Sequence, residues 1–243
     1  MSRRIFALGY GAVTYVAFLL VFAYTIGFLA DVAVPKGIND GRAGPGWAAL
    51  LIDAGLLGLF AVQHSVMARP WFKGWWIRYV PRAVERSTFV LASSAVIAFL
   101  LWQWRPLTDL VWSASNGWLR WLLWALYAAG WVLLLLSTIL IGHFDFLGLR
   151  QVLARARGGE YTEPGFRDPL LYRVVRHPIM VGFLVAFWAV PDMTVGRLLF
   201  AAAGTGYILV GVRFEEHDLR RQLGEPYAEY ARRVPRFIPR RAR

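Results

Sequence analysis

The chain has 243 residues and a formal net charge of +12; 58% of its residues are hydrophobic and only 17% are charged. A soluble domain carries about 25% charged residues, and the apolar residues here form long runs, so the composition is typical of a membrane protein. From the length we expect a helical bundle with one short cytoplasmic domain and no separate large soluble domain. The sequence contains no cysteine, which excludes disulfides, thiolate metal sites and cysteine nucleophiles.

Four long apolar runs predict four N-terminal transmembrane helices, because a bilayer core of about 30 Å requires roughly 20 helical residues. The runs are Ile5–Ala30, Trp47–Met67, Thr88–Trp104 and Trp118–Ile141. The first run is too long for the apolar part of a signal peptide and no cleavage site follows it, so we expect it to be retained as a helix.

A helical hairpin is predicted near the C-terminus. Its first arm, Pro178–Val190, is short for a membrane crossing, so it either begins earlier, near Leu170, or is re-entrant. The second arm is Val195–Phe214, and Thr194 in the intervening turn is expected to cap it.

These segments predict the fold class: an all-α, polytopic transmembrane helical bundle with five to six membrane segments, a C-terminal helical hairpin and a short cytoplasmic tail. We expect a single membrane domain over residues 1–243, with the four N-terminal helices in residues 1–141 and the hairpin and tail in residues 165–240. The oligomeric state is left open by the sequence.

The basic residues predict the orientation of the helices. Lys and Arg are concentrated in the loops after the second and fourth runs and in the tail, whereas the loop after the third run has only Arg105. This pattern places the N-terminus, the two basic loops and the C-terminus in the cytoplasm, and it favours six crossings and contact with the lipid bilayer over binding of nucleic acid. The basic loop Arg69–Arg86, which contains three Trp residues, is expected to lie on the membrane interface as a short amphipathic helix.

Polar groups occur at four helix ends on the predicted cytoplasmic side, and ionisable residues at membrane depth commonly mark functional sites. They are Gln63-His64-Ser65, Gly142-His143-Phe144-Asp145, Arg176-His177-Pro178 and Glu215-Glu216-His217-Asp218. Taken singly, His64, His143 and Asp145 are as readily explained by helix contacts or helix ends, and Glu215 with Glu216 by a solvated pair. Their convergence on one level of the bundle nevertheless predicts a site, although no ligand spacing indicates a metal.

The tripeptide from Arg176 to Pro178 is the most informative of these groups. Proline is favoured at the first position of a helix, so His177 would stand at the positive helix end, where anions bind.

The C-terminal third resembles the isoprenylcysteine carboxyl methyltransferase superfamily. The resemblance rests on Arg176-His-Pro-Ile-Met-Val-Gly182, Glu215-Glu216-His-Asp-Leu219, Gly224-Glu-Pro-Tyr227-Ala-Glu-Tyr230 and Val234-Pro-Arg-Phe-Ile-Pro239. It implies a site for S-adenosylmethionine at the cytoplasmic end of the hairpin, formed by Arg176, His177, Pro178, Gly182, Glu215, Glu216, Tyr227 and Arg236.

Within this implied site the residues have separate roles. His177 would contact the methionine part, Glu215 or Glu216 the polar groups of the nucleoside, and Tyr227 and Arg236 would close over the cofactor. One position departs from the family pattern: Met180 stands where the family often has Tyr, which makes the implied pocket more apolar.

Two further segments resemble the bacterial methanethiol S-methyltransferases, which are close to the membrane family linked to nitrite and nitric oxide metabolism. These segments are Phe60-Ala-Val-Gln-His-Ser-Val-Met-Ala-Arg69 and His143-Phe-Asp-Phe-Leu-Gly-Leu-Arg-Gln151. The resemblance implies an enzyme of the bacterial inner membrane that uses S-adenosylmethionine and methanethiol to form dimethyl sulfide and S-adenosylhomocysteine on the cytoplasmic side.

Thiol methylation requires a thiolate, because the thiol itself is a poor nucleophile. The candidates for the base are His64, His143 and Asp145. Two alternatives remain open: a methyltransferase for a lipid amine, a prenylated thiol, a carboxylate or another small thiol, and a non-catalytic membrane protein that binds haem through His64 and His143. A lipid acceptor predicts a groove that is open to the bilayer, methanethiol predicts a closed cavity, and haem predicts a Soret absorption band.

Overall fold

A computed structural model of the protein describes residues 2–42, 44–162 and 165–239, without the side chains of residues 2 and 3. Residues 1, 240 and 243, at which the predicted domain ranges 1–243 and 165–240 begin or end, therefore lie outside the described residues. The helices are α1 Ser2–Ala30, α2 Gly46–Ala68, α3 Pro70–Trp76, α4 Arg82–Gln103, α5 Gly117–Ile141, α6 His143–Phe146, α7 Leu149–Ala156, α8 Leu171–Val174, α9 Pro178–Trp188, α10 Val195–Leu223 and α11 Glu225–Arg233. Two strands, β1 Leu110–Ser113 and β2 Asp192–Thr194, complete the elements of the described residues.

Five of the described helices, α1, α2, α4, α5 and α10, are long and apolar enough to cross a membrane. This confirms the prediction of a polytopic helical membrane protein. The largest extensions beyond the apolar runs are those of α4, which begins at Arg82, and α10, which continues to Leu223. Hydropathy indicates only the length of helix that lipid can contact, and a helix can continue into water beyond that length. The helical conformation of α10 ends at Gly224, whose φ is 63°.

The chain divides into two compact units, which are described separately. The first comprises Met1–Thr108 and Gly142–Glu163. In it α4 packs on α1 and α2, and α7 packs on α1. Gly148 precedes α7 with a φ of 86°, and a Cβ there would lie 2.8 Å from the amide nitrogen of Ser87, so this close approach requires glycine.

The second unit comprises Asp109–Ile141 and Pro164–Arg243. In it α9 packs closely on α5 and also contacts α10. The two short strands, which the sequence did not predict, pair antiparallel with each other. Thr194 accepts a hydrogen bond from the amide of Arg197 at 3.4 Å, which confirms its predicted role as the cap of α10.

The strands determine how far the hairpin reaches. Their pairing fixes the hairpin turn beside the segment that leads into α5, and the amide of Val195 also donates to the carbonyl of Asp109 at 2.9 Å. At the other end of the arm, His177 contacts Glu216. Glu216 lies about 32 Å along α10 from its first residue, Val195, at a rise of about 1.5 Å per residue. The arm therefore covers about the thickness of a bilayer core. Only 11 of its residues are helical, and the non-helical residues on both sides of α9 supply the rest of its length.

The beginning of the arm differs from one of the expected alternatives. A continuous helix from Leu170 is not formed: α8 ends at Val174, Val175 is extended, and α9 starts at Pro178. Proline at the first helical position follows the prediction, since its missing N–H costs nothing there.

Candidate functional site

Glu216 on α10 is the centre of a buried ionic cluster in the second unit. Its side chain is fully buried. Oε1 accepts hydrogen bonds from Nε and Nη2 of Arg176 at 2.9 and 2.6 Å, and Oε2 accepts from Nε and Nη2 of Arg236 at 3.1 and 2.8 Å. Arg220, one turn farther along α10, donates to Oε2 at 3.2 Å. Three guanidinium groups around one carboxylate offset the cost of burying its charge and leave an excess of positive charge.

His177 lies between the two glutamates at the start of α9. Its Nε2 is 3.2 Å from Oε1 of Glu216, and its Nδ1 is 3.7 Å from Oε2 of Glu215. The imidazole is buried, whereas the side chain of Glu215 is 48% exposed. The ring of Phe237 lies 6.0 Å from the imidazole between centroids. The side chain of Glu215 is thus about half exposed, whereas that of Glu216 is enclosed by protein donors.

Backbone hydrogen bonds join the tail to the start of α9. The amide of Arg176 donates to the carbonyl of Pro235 at 2.8 Å, and that of His177 donates to the carbonyl of Arg236 at 3.2 Å. The guanidinium of Arg176 also donates to the carbonyls of Ala231, at 2.8 Å, and Val234. Two motifs that are far apart in the sequence therefore form one structure.

Two tyrosines of α11, Tyr227 and Tyr230, are buried close enough to this cluster to interact with the charges of Arg176 and Glu216. Tyr230 Oη donates to the carbonyl of Tyr172 at 2.6 Å. Tyr227 is 2% exposed, and its hydroxyl has no hydrogen-bond partner among the residues that the structure describes. Burial raises the pKa of Tyr227 to about 12, and the negative charge of Glu216 acts in the same direction, so the phenol stays protonated and can donate.

A cleft of about 330 Å³ adjoins the ionic cluster. This volume is within the range of small-molecule sites. Its lining is strongly basic and consists of Arg176, Ala231, Arg232, Arg233, Val234, Pro235 and Arg236.

Gly182, which the resemblance assigned to the cofactor site, lies at a helix contact. A Cβ on Gly182 would be 2.6 Å from the carbonyl oxygen of Gly130 and 2.9 Å from the amide nitrogen of Leu134, both on α5. Small residues allow membrane helices to approach closely in this way. A contact of Gly182 with a cofactor stays a prediction.

The candidate bases lie in the first unit. His143 opens α6 after Gly142, whose φ is 104°, and its Nε2 is 3.2 Å from Oη of Tyr15 on α1. The carboxylate of Asp145 accepts a hydrogen bond from Tyr161 at 3.0 Å and pairs with Arg150 at 2.9 Å. Burial lowers the pKa of His143, which favours a neutral imidazole that can accept a proton.

His64 on α2 lies between two aromatic rings. The ring of Phe60 is 5.3 Å from the imidazole and that of Phe89 is 4.9 Å away, between centroids. This environment suits either an apolar pocket wall or a helix contact, so the catalytic role predicted for His64 stays a prediction.

The structure thus brings six of the predicted cofactor-binding residues into one region of the second unit: Arg176, His177, Glu215, Glu216, Tyr227 and Arg236. Sequence reasoning missed Arg220, Tyr172, Phe237 and Tyr15. Arg220 had a signal, since it follows Glu216 by one helical turn. Phe237 also had a signal, since it lies in the Val234–Pro239 segment that carries the resemblance. The contacts of Tyr172 and Tyr15 join distant segments and had none.

Comparisons with known proteins show the family of the chain. The NnrU protein family matches residues 52–220. A methanethiol S-methyltransferase of Mycobacterium tuberculosis is 51% identical over 237 residues, which cover 98% of this chain and 97% of the relative. Methanethiol S-methyltransferase 2 of Bradyrhizobium diazoefficiens is 49% identical over 99% of this chain and 92% of its own length. This chain belongs to the methanethiol S-methyltransferase family, within the wider NnrU family.

The chain is also similar, at lower identity, to nurim. Nurim of Bos taurus is 30% identical to this chain over 181 residues, which cover 70% of the chain and 68% of nurim. No solved structure matches the chain. The segment shared with the NnrU family includes Arg176 and Glu216 but ends before α11 and Arg236.

Proposed function

We propose that this protein transfers a methyl group from S-adenosylmethionine to methanethiol, giving dimethyl sulfide and S-adenosylhomocysteine. The observation that carries the proposal is the similarity to four relatives named methanethiol S-methyltransferase, which are 46–51% identical to the chain over nearly its whole length. The ionic cluster of the second unit supports the choice of methyl donor.

The cluster offers the polar groups that S-adenosylmethionine requires. The methionine part of S-adenosylmethionine carries a carboxylate. Arg236 lines the basic cleft and its side chain is 45% exposed, so it is a suitable donor for this carboxylate. Its nucleoside carries hydroxyl groups, which suit the exposed face of Glu215. The buried hydroxyl of Tyr227 is a donor that finds no partner in the described part of the chain. When bound, S-adenosylmethionine supplies a methyl group on a sulfonium sulfur.

Glu216 is assigned a different part from Glu215. Both of its oxygens already accept hydrogen bonds from arginines, so it holds Arg176, Arg220 and Arg236 in position and keeps the tail against α9. Of the two glutamates that the sequence left open, we therefore assign the nucleoside contact to Glu215.

The acceptor thiol must lose its proton before it can attack. His143, Asp145 and His64 are the candidates, and His143 is the strongest. The carboxylate of Asp145 is engaged by Arg150 and Tyr161, and burial lowers the pKa of the His143 imidazole, which favours its neutral form. A dry site also favours a reaction in which a thiolate and a sulfonium become two neutral thioethers.

We place the enzyme in the bacterial inner membrane with both termini in the cytoplasm. The basic loops favour this orientation. The first arm of the hairpin extends along about 32 Å of α10, which is enough to cross the membrane. Together with the five long helices it would make six crossings, an even number.

The test is to incubate purified protein with S-adenosylmethionine and methanethiol and to measure dimethyl sulfide by headspace gas chromatography. His177→Ala should abolish product and weaken calorimetric binding of S-adenosylmethionine. His217→Ala, which removes an exposed histidine from the same region of α10, is the matched control and should retain both.

Two other outcomes would redirect the assignment. Binding of S-adenosylmethionine without dimethyl sulfide would send the search to lipid, prenyl-thiol or other small-thiol acceptors. Neither binding nor product, with a Soret band in the purified protein, would favour the non-catalytic, haem-binding alternative.

A further inference from the structure

A connecting segment, residues 69–86, runs from the end of α2 through α3 into the first turn of α4. α2 ends at Ala68 and α4 begins at Arg82, and both helices are long and apolar enough to cross a bilayer. A segment that joins two membrane-crossing helices lies at one surface of the bilayer. Val80 holds the segment against the first unit by packing on the buried cluster of Ala7, Val84 and Val152.

The connecting segment exposes aromatic side chains. Trp71, Trp75 and Tyr79 are 63%, 44% and 70% exposed. Trp71 and Trp75 are one turn apart on α3, so they share a face of the helix. The ring of Phe72 lies 5.8 Å from that of Trp71, and the rings of Trp75 and Tyr79 are 5.4 Å apart, between centroids. Trp and Tyr side chains concentrate at the headgroup level of a bilayer, so this cluster of rings suits a membrane surface.

The same segment carries an excess of positive charge. Its five basic residues and one acidic residue are Arg69, Lys73, Arg78, Arg82, Arg86 and Glu85. The guanidinium groups of Arg78 and Arg82 have no hydrogen-bond or ion-pair partner among the residues that the structure describes, and both residues are exposed. Arg86 is engaged, because its Nε donates to the carbonyl of Phe146 and its guanidinium lies over the ring of Phe146. Arg78 and Arg82 can therefore bind an anion that the protein itself does not supply.

We propose that the connecting segment binds an anionic phospholipid, with Arg78 and Arg82 on its phosphate and the indoles of Trp71 and Trp75 among the neighbouring headgroups. A guanidinium forms charge-assisted, often bidentate hydrogen bonds with a phosphate. The aromatic rings alone would accept any headgroup, whereas the two arginines select one with net negative charge. A zwitterionic lipid also carries a phosphate, but its ammonium group would lie close to the guanidinium groups and oppose binding.

The proposed site lies in the first unit alone, and it would exist whether or not the protein methylates thiols. The attraction of basic residues to an anionic membrane surface adds to the contribution of the buried apolar rings. The lipid would thus hold the ends of α2 and α4 at the headgroup level.

The test places a fluorophore beside the proposed site in the full-length protein. The chain has no cysteine, and a Cβ on Gly74 of α3 would meet nothing within 4 Å, so Gly74→Cys accepts a single thiol-reactive dye. The labelled protein is reconstituted in phosphatidylcholine vesicles. These contain a small fraction of either phosphatidylglycerol or phosphatidylcholine that carries a nitroxide on one acyl chain near the glycerol. A nitroxide quenches the dye only at short range, so the two quenching curves give the local preference for the anionic lipid.

We expect phosphatidylglycerol to be preferred over phosphatidylcholine by about 5-fold or more, because each basic residue at an anionic surface contributes about this factor. Arg78→Gln combined with Arg82→Gln should abolish the preference, and salt at about 1 M should weaken it. Arg42→Gln is the matched control, since Arg42 is an exposed arginine of the same unit in the loop between α1 and α2. It should keep the wild-type preference.

The indoles are tested separately. Trp71→Ala combined with Trp75→Ala should lower quenching by both lipids, because the segment loses its contact with the headgroups, and unchanged quenching would exclude the indoles from the site. Equal quenching by the two lipids in the Gly74→Cys protein would disprove the proposal. A preference for phosphatidylglycerol that survives the loss of Arg78 and Arg82 would also overturn it.

Discussion

Gly130 on α5 and Gly182 on α9 face each other so closely that a Cβ on Gly182 would lie 2.6 Å from the carbonyl oxygen of Gly130. A methyl group at this position must push the two backbones apart. Gly182→Ala should therefore destabilise the protein by about 1–3 kcal/mol, measured as a lower melting temperature in detergent. Gly206→Ala on α10 meets nothing within 4 Å and should leave the melting temperature unchanged or raise it. Equal melting temperatures for the two variants would contradict this account of the contact.

Substitutions of Glu216 and Glu215 should have different effects, the first on the stability of the protein and the second on cofactor binding. Glu216→Gln removes the charge that compensates Arg176, whose side chain is 7% exposed, and should cost about 3–5 kcal/mol of unfolding free energy. Glu215→Gln changes a half-exposed side chain, so it should unfold like the wild type but bind S-adenosylmethionine more weakly. Thermal unfolding and calorimetric titration of both variants provide the comparison, and wild-type binding by Glu215→Gln would remove Glu215 from the site.

The two buried tyrosines of α11 form another matched pair. Tyr230→Phe deletes a hydrogen bond of 2.6 Å to the carbonyl of Tyr172 and should lower stability by about 1 kcal/mol. Tyr227→Phe deletes a hydroxyl without a partner in the described part of the chain, so stability should hold or rise slightly. If this hydroxyl contacts the cofactor, the affinity for S-adenosylmethionine falls in Tyr227→Phe only. Equal affinity in the two variants would exclude the contact.

The ionisation of Asp192 in β2 should make the stability of the protein depend on pH in the acid range. The bidentate hydrogen bonds from Arg120, at 2.9 and 2.7 Å, lower the pKa of Asp192 to about 2 from its usual 3.8, and the hydroxyl of Ser113 acts in the same direction. Because the folded pKa is depressed, the stabilisation is complete above about pH 4 and is lost as the pH falls toward about 2. The effect should be modest, since both side chains are more than a third exposed.

Melting curves between pH 5 and about pH 2 test this dependence. Asp192→Asn should remove the part of the acid sensitivity that comes from this pair. Asp109→Asn is the control at the same end of the unit, because Asp109 contributes its backbone carbonyl to the contact with Val195 and an amide side chain leaves that contact intact. A full wild-type acid transition in Asp192→Asn would disprove the assignment.

The sequence by itself determined the long helices and the starts of the two hairpin helices. Burial in lipid imposes runs of apolar residues, which can be found without any tertiary contact, and Pro178 and Thr194 act on the backbone next to them. The basic loops predict an orientation from composition alone, and this orientation stays a prediction.

Tertiary structure decided how the polar residues are used. Glu215 and Glu216 are adjacent in sequence, yet one is half exposed and the other is enclosed by Arg176, Arg220 and Arg236, because successive residues on a helix face different directions. Gly182 belonged to a motif by resemblance and lies against α5, and the pairing of β1 with β2 joins segments that carry no common pattern. Such contacts depend on which distant surfaces meet, and local propensity does not encode that.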